Sequence, residues 1–353
     1  MTPERLVRPE VLAMTAYHVP DARGMVKLDA MENPYSLPPE LRRALAERLA
    51  QVDLNRYPEP NPRRLRELIG RTMGVPPGIS LLLGNGSDDL IQVVALALAR
   101  PDAVMLFPSP TFVMYSVNAT LTGMRAVPVA LREDFSLDRD AFIARIREVR
   151  PAVVFLAYPN NPTGVLYPPA DVEAILRAAE GLVVLDEAYH AFAGASFLPR
   201  LAEFPNLVVL RTLSKVGLAG LRLGYLAGAP RWVEQFDKVR QVYNVNVLTE
   251  TAALFVLEHL DLLEAQAARI RADRAALAKA LAALPRLQVF PSHANFLLVR
   301  VPDAMRIFEA LRRQAVLVKN LHPAVPGCLR ITVGTPDENR ILLSAMKEAL
   351  ADA

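Results

Sequence analysis

Residues 152–189 read AVVFLAYPNNPTGVLYPPADVEAILRAAEGLVVLDEAY, and the alternation inside that stretch decides the fold. Two short apolar runs, AVVFLAYP and LVVLDE, flank a helical segment, ADVEAILRAAE. Runs without polar alternation are strands buried on both faces, and strands separated by helices imply a mostly parallel sheet. The same rhythm extends outward in both directions. Upstream, ISLLLG is followed by DDLIQVVALALA, AVMLF by TFVMYSVNATLT, and AVPVAL by DRDAFIARIREV. Downstream comes LVVLRTLS, and the block closes near Ala229. The expected class is α/β, with a large domain whose mostly parallel central sheet is flanked by helices.

The flanks differ. Residues 1–30, with Pro3, Pro9 and Pro20, read as an arm ending in a short strand, MVKLDA. An amphipathic helix from about Pro39 to Ala50, a turn RYPEPNP and a helix from about Arg63 to Met73 lead into the sheet. A strongly helical stretch, about Arg231 to Leu284, follows it. Then LQVFP, NFLLVRV, AVLVKN and CLRITVG appear, with helices at about Ala304–Gln314 and at the C-terminus. That is an α+β pattern of antiparallel character. The expected division is an arm at 1–30, a large domain at 31–245 and a smaller α+β domain at 246–353.

Composition narrows the function. A chain of 353 residues, 52% hydrophobic and 22% charged, can bury two cores, which excludes global disorder. Lys plus Arg (40) exceed Asp plus Glu (37) only by three, and no basic block suits nucleic acid. The single cysteine, Cys328, excludes an internal disulfide and asks for no oxidising compartment. The start of the sequence has no apolar signal core, and the longest uncharged run, Ala103–Met124, is broken by Pro108 and Pro110. No metal-ligand spacing is present. A soluble cytoplasmic protein without membrane, metal or nucleic-acid partner is the expectation.

Four segments place polar residues at strand ends, where open α/β sheets bind ligands. In LLLGNGSDDLIQ, a strand turns through Gly84-Asn85-Gly86 into a helix starting near Ser87 and Asp88. Free N–H groups there suit a phosphate, although an ordinary turn with Ser87 or Asp88 as N-cap reads equally simply. In AYPNNPTG, Asn161 can project an amide. In LVVLDEAYH, Asp186 is an acid at the end of a buried strand and Tyr189 follows it. In LVVLRTLSKVGLAGLRLGY, Ser214 and Lys215 end another buried strand, and Arg222 follows. Taken singly, these are a loop, a cap and a surface lysine. Together they supply what pyridoxal phosphate (PLP) needs: an amine for its aldehyde, an acid for its pyridine nitrogen, and N–H groups and a cation for its phosphate.

NNPTG, DEAY and SK followed by GLRLGY, in that order, resemble fold-type I PLP-dependent transferases of the aspartate-aminotransferase superfamily. Within it, TAYHV, LDAMENPY, RYPEPNP, SPTFVMYS, PSHANFLLV and GCLRITVGT extend the resemblance nearly end to end to the histidinol-phosphate aminotransferase family. The resemblance implies that Lys215 forms the Schiff base with PLP and shuttles the proton during transamination. Asp186 would pair with the pyridine nitrogen, and Asn161 and Tyr189 would bond the ring's phenolic oxygen. Ser87, Asp88, Ser214 and Arg222 would hold the phosphate, and Phe112 would stack on the ring. Tyr57 would reach the cofactor of the other subunit in a homodimer. Arg330 would grip the phosphate of L-histidinol phosphate and then the carboxylate of 2-oxoglutarate, with Tyr17 and Lys319 as further substrate contacts. Asn33 and Asn295 read as structural.

Three departures accompany the resemblance. Lys215 to Arg222 is one residue shorter than the commonest superfamily spacing, Phe112 replaces a more usual Tyr, and Lys319 stands where some relatives carry Arg. The implied activity is transamination in histidine biosynthesis. Rival readings are an aromatic-amino-acid aminotransferase, a threonine-phosphate decarboxylase, and a non-catalytic PLP-binding module.

Overall fold

The computed structural model describes residues 2–16 and 19–351. Among the described residues, twelve strands form two sheets. The strands are β1 (Val26–Leu28), β2 (Ser80–Gly84), β3 (Val104–Ser109), β4 (Arg125–Ala130), β5 (Val153–Ala157), β6 (Leu182–Asp186), β7 (Leu207–Thr212), β8 (Gly224–Gly228), β9 (Gln288–Val289), β10 (Phe296–Arg300), β11 (Val316–Asn320) and β12 (Cys328–Thr332).

The large sheet has seven strands in the order β2-β8-β7-β6-β5-β3-β4. β4, β3, β5, β6 and β7 run parallel, while β8 is antiparallel to both β7 and β2. Side chains of a strand alternate between faces. Val154 and Leu156 of β5 join one core, with Leu65, Phe142 and Ile175 from the helices on that face. Val153 and Phe155 join the other, with Leu90, Ile91, Tyr115 and Phe236. Both faces are covered, which is why β5 and β6 read as unbroken apolar runs and are buried throughout.

The second sheet has five strands in the order β1-β11-β12-β10-β9. β1 pairs parallel with β11, and the other pairs are antiparallel. Thus Val26–Leu28, read in sequence as part of an arm, is a strand of the smaller unit, and Leu28 is buried in its core beside Val316, Leu329 and Ile331. The expected helical stretch after Arg231 is three helices, Pro230–Asp237, Val247–Leu257 and Leu260–Ala282. The second, read in sequence with the C-terminal unit, packs on the Pro39–Leu49 and Arg63–Thr72 helices and puts Ala253 and Phe255 into the large core. The third bridges the units: Leu263 lies in the large core, Leu277 and Leu281 in the small one. Among the described residues, no helix is long and apolar enough to cross a membrane.

Candidate active site

Because β2 and β7 are each antiparallel to β8, β2 points the same way as β5, β6 and β7. The residues after those four strands therefore converge on one cleft. Ser87, Asp88, Phe112, Asn161, Asp186, Tyr189, Ser214, Lys215 and Arg222 all line it. Its wider mouth adds Lys319 and Arg330 from the second sheet, with Val19 and Pro20 from the N-terminal segment.

The helix after β2 starts at Ser87 with Gly86 in the N-cap position, and no side chain caps it. The alternative of Ser87 or Asp88 as N-cap is not realised. Gly86 has φ +89°, and a Cβ there would lie 2.6 Å from Arg222 Nη2. The glycine thus admits the arginine to the uncapped helix end, where N–H groups and the dipole favour an anion. Arg222 itself is left-handed, φ 49°. In that conformation Nη1 donates to Ser214 Oγ at 3.2 Å, with Nη2 3.4 Å from Asp88 Oδ2. Ser214 is fixed by Thr212, whose Oγ1 donates to Ser214 Oγ at 2.9 Å.

Asp186, 4% exposed, ends β6. Its Oδ1 accepts the Ala188 N–H at 3.1 Å and its Oδ2 accepts the Tyr115 hydroxyl at 2.8 Å. Burial pushes the carboxyl up to about 6, and those two hydrogen bonds pull against burial. Lys215 Nζ donates to Ala30 O at 3.1 Å. Burial, then the nearby Arg330 charge, lowers the amine to about 8. A substantial neutral fraction is therefore available for attack on a carbonyl near neutral pH.

One hydrogen-bonded path crosses the cleft. Arg330 Nη1 donates to Asn161 Oδ1 at 2.6 Å, Asn161 Nδ2 donates to the Tyr189 hydroxyl at 3.1 Å, and that hydroxyl donates to Met31 Sδ at 3.1 Å. Arg330 Nη2 donates to Asp29 O at 2.9 Å, and its guanidinium lies 5.5 Å from the Phe296 ring centre. Lys319 faces Arg330 across the β11–β12 register.

Tyr57 is not part of this chain's cleft. It is 81% exposed and stacks on Tyr243 at 4.6 Å. Tyr17 lies outside the described residues. Asn33 and Asn295 are structural supports: Asn33 Nδ2 donates to Val216 O behind Lys215, and Asn295 Nδ2 donates to Met31 O. Sequence reasoning missed Met31, Thr212 and Tyr115. Tyr115 sits one helical turn after Phe112 and meets it edge-on at 5.8 Å. That spacing was the available signal, and it also fits plain core packing. Among the described residues, no group of three or more His, Cys, Asp or Glu is placed to hold a metal ion.

Comparison with known proteins places this geometry. Residues 23–346 match the family model described as aminotransferase class I and II. Histidinol-phosphate aminotransferase 1 of Burkholderia lata is 58% identical over 353 residues, covering 99% of each chain. Among solved structures, histidinol-phosphate aminotransferase of Sinorhizobium meliloti, in complex with pyridoxal-5'-phosphate, is 25% identical with a TM-score of 0.87 over 98% of this chain and 97% of that one. L-threonine-O-3-phosphate decarboxylase of Porphyromonas gingivalis shares the fold at 22% identity, with a TM-score of 0.79 over 92% of this chain and 99% of that one.

Proposed function

The chain belongs to the class I and II aminotransferases, and on that premise we propose that it transfers the amino group of L-histidinol phosphate to 2-oxoglutarate. The products are imidazole-acetol phosphate and L-glutamate, in histidine biosynthesis. The cofactor is PLP, and the residues present fit it. An uncapped helix end that only glycine leaves open to Arg222 suits the phosphate. A buried carboxylate faces the same cleft as an amine lowered to about 8. When bound, PLP supplies the aldehyde that takes up the amine and a ring that accepts the electron pair freed at the α-carbon.

In this reading, Ser87, Asp88, Ser214 and Arg222 hold the phosphate, chiefly through the backbone N–H groups at the helix start. Phe112 covers one ring face. Asp186 holds a proton on the pyridine nitrogen, and Asn161 and Tyr189 bond the phenolic oxygen. Lys215 Nζ would hold the cofactor, and its freed amine would move the proton from the substrate α-carbon to the cofactor's aldehyde carbon, a role its depressed affinity for protons suits.

Buried Arg330 at the mouth carries the substrate assignment. A guanidinium presents one planar fork to either a phosphate or a carboxylate, so one residue serves both half-reactions. Lys319 adds a second cation for the phosphate, and Tyr17 a further contact to it. Supporting a homodimer, Tyr57 is exposed together with Leu54, Val242 and Tyr243. Tyr57 of one protomer would then reach the cofactor phosphate of its partner. As a biosynthetic enzyme it would work in the cytoplasm.

The test is spectral. L-histidinol phosphate should bleach the yellow PLP-loaded protein, and 2-oxoglutarate should restore the colour. Phenylalanine and threonine phosphate should do neither at matched concentration. Bleaching by phenylalanine alone, or CO₂ release from threonine phosphate, would move the assignment to a rival on the same scaffold.

A further inference from the structure

Tyr115 is fully buried in the Met114–Thr122 helix, yet its hydroxyl points at the functional acid. It donates to Asp186 Oδ2 at 2.8 Å. The ring stacks on Phe155 at 4.7 Å and meets Phe112 edge-on, so its position is set from two sides. Burial of a tyrosine does not by itself bring such a partner. Tyr167 is equally buried, and its hydroxyl has no hydrogen-bond partner. The Tyr115 hydroxyl is therefore not an incidental feature of a buried ring.

We propose that Tyr115 is a positioning residue for the cofactor: it holds Asp186 ionised and aimed at the pyridine nitrogen. This rests on the PLP reading above. The physical case compares three effects on one carboxylate. Burial disfavours its charge. The charged groups around it do not help: Asp88 at the start of its helix and Glu187, next in the chain, both oppose ionisation. Lys215 and Arg222 line the same cleft, but Lys215 is committed to the cofactor and Arg222 to Ser214 and Asp88. Donors to the carboxylate are then what favours the ionised form, and among the described residues these are Tyr115 and the Ala188 N–H. Tyr115 is a dependable donor, because burial and the Asp186 charge push its own ionisation far above the physiological range. It also joins the ring-stacking Phe112 to the acid, so one side chain sets the cofactor plane and the acid together.

The test uses the full-length protein freed of cofactor. PLP affinity is measured against pH for wild type, Tyr115→Phe and Tyr167→Phe. The cofactor's own phosphate titration is common to all three, so differences between them report the protein. Binding should weaken as pH falls and Asp186 takes a proton. In Tyr115→Phe that loss should set in about one to two pH units higher, the size of a charge-assisted hydrogen bond. Tyr167→Phe should follow wild type. Infrared spectra of the cofactor-free proteins give a second readout: the protonated-carboxyl band should persist to higher pH in Tyr115→Phe alone. Unchanged midpoints in Tyr115→Phe, even with uniformly weaker binding, would reduce Tyr115 to packing and overturn the proposal. Failure of the wild type itself to bind PLP would overturn the functional reading as well.

Discussion

At the scale of single residues, burial acts on Asp186 and Lys215 with opposite sign and one purpose. It raises the acid to about 6 and lowers the amine to about 8, which in the proposed reading would poise each for a partner the cofactor brings. Asp186 should therefore be a liability in the cofactor-free protein. Its folded-state affinity for a proton exceeds that of an unfolded aspartate. The penalty for ionising it is thus absent below about pH 4, builds between about 4 and 6, and is complete above that. Asp186→Asn keeps an acceptor for the Ala188 N–H, and its amide can donate to Tyr115. In thermal melts without PLP, the variant should be more stable than wild type at pH 7–8, by roughly 1–3 kcal/mol, and should lose that gain near pH 4. Its PLP affinity should fall at the same time, because a neutral amide cannot hold a protonated pyridine nitrogen. An equal stability difference at both pH values would mean that ionisation of Asp186 is not the cause.

At the scale of elements, the site depends on how the β2 strand turns into its helix. Gly86 is left-handed and a Cβ built on it would run into the Arg222 guanidinium, whereas Gly123 is left-handed at the end of the Met114–Thr122 helix with nothing within 4 Å of its Cβ position. Alanine at either costs about 1–2 kcal/mol in backbone strain. Only at position 86 does the added methyl displace Arg222. Gly86→Ala should lose at least about tenfold in PLP affinity, the worth of one charge-assisted contact, while Gly123→Ala keeps it. Paired melts and PLP titrations separate the two. The strands β5 and β6 and the residues at their ends were legible in sequence, because burial on both faces leaves unbroken apolar runs that stop at polar residues. β8 was not: Gly224 and Gly228 weaken the strand pattern, and its place between β7 and β2 is set by pairing. Nor was β1 on the second sheet, whose partner β11 lies at the far end of the chain. Tyr115 is not singled out in the sequence, because its hydroxyl finds its acceptor 71 positions away.

At the scale of the whole molecule, the two units meet at residues 29–31. Arg330 of the second sheet donates to Asp29 O, Lys215, which follows β7 of the first, donates to Ala30 O, and Met31 N donates to Thr332 Oγ1. One short backbone segment therefore ties Lys215 to Arg330. In the proposed homodimer, Tyr57, with the exposed apolar residues beside it, is the group expected to reach the partner's cofactor phosphate across a two-fold axis. Complementation tests this directly. Lys215→Ala chains lack the amine, and Tyr57→Ala chains lack the phosphate contact; each alone should be impaired when PLP is limiting. In a hybrid dimer, the intact lysine of one protomer and the intact tyrosine of its partner form one native site. Unfolding and refolding an equal mixture, with random pairing, should therefore restore about a quarter of the native sites. Activity assayed at limiting PLP should rise above either parent after refolding, and should not rise when the two proteins are mixed without it. If the refolded mixture stays at the mean of its parents, Tyr57 acts within its own chain or not at all, and the shared-site dimer is wrong.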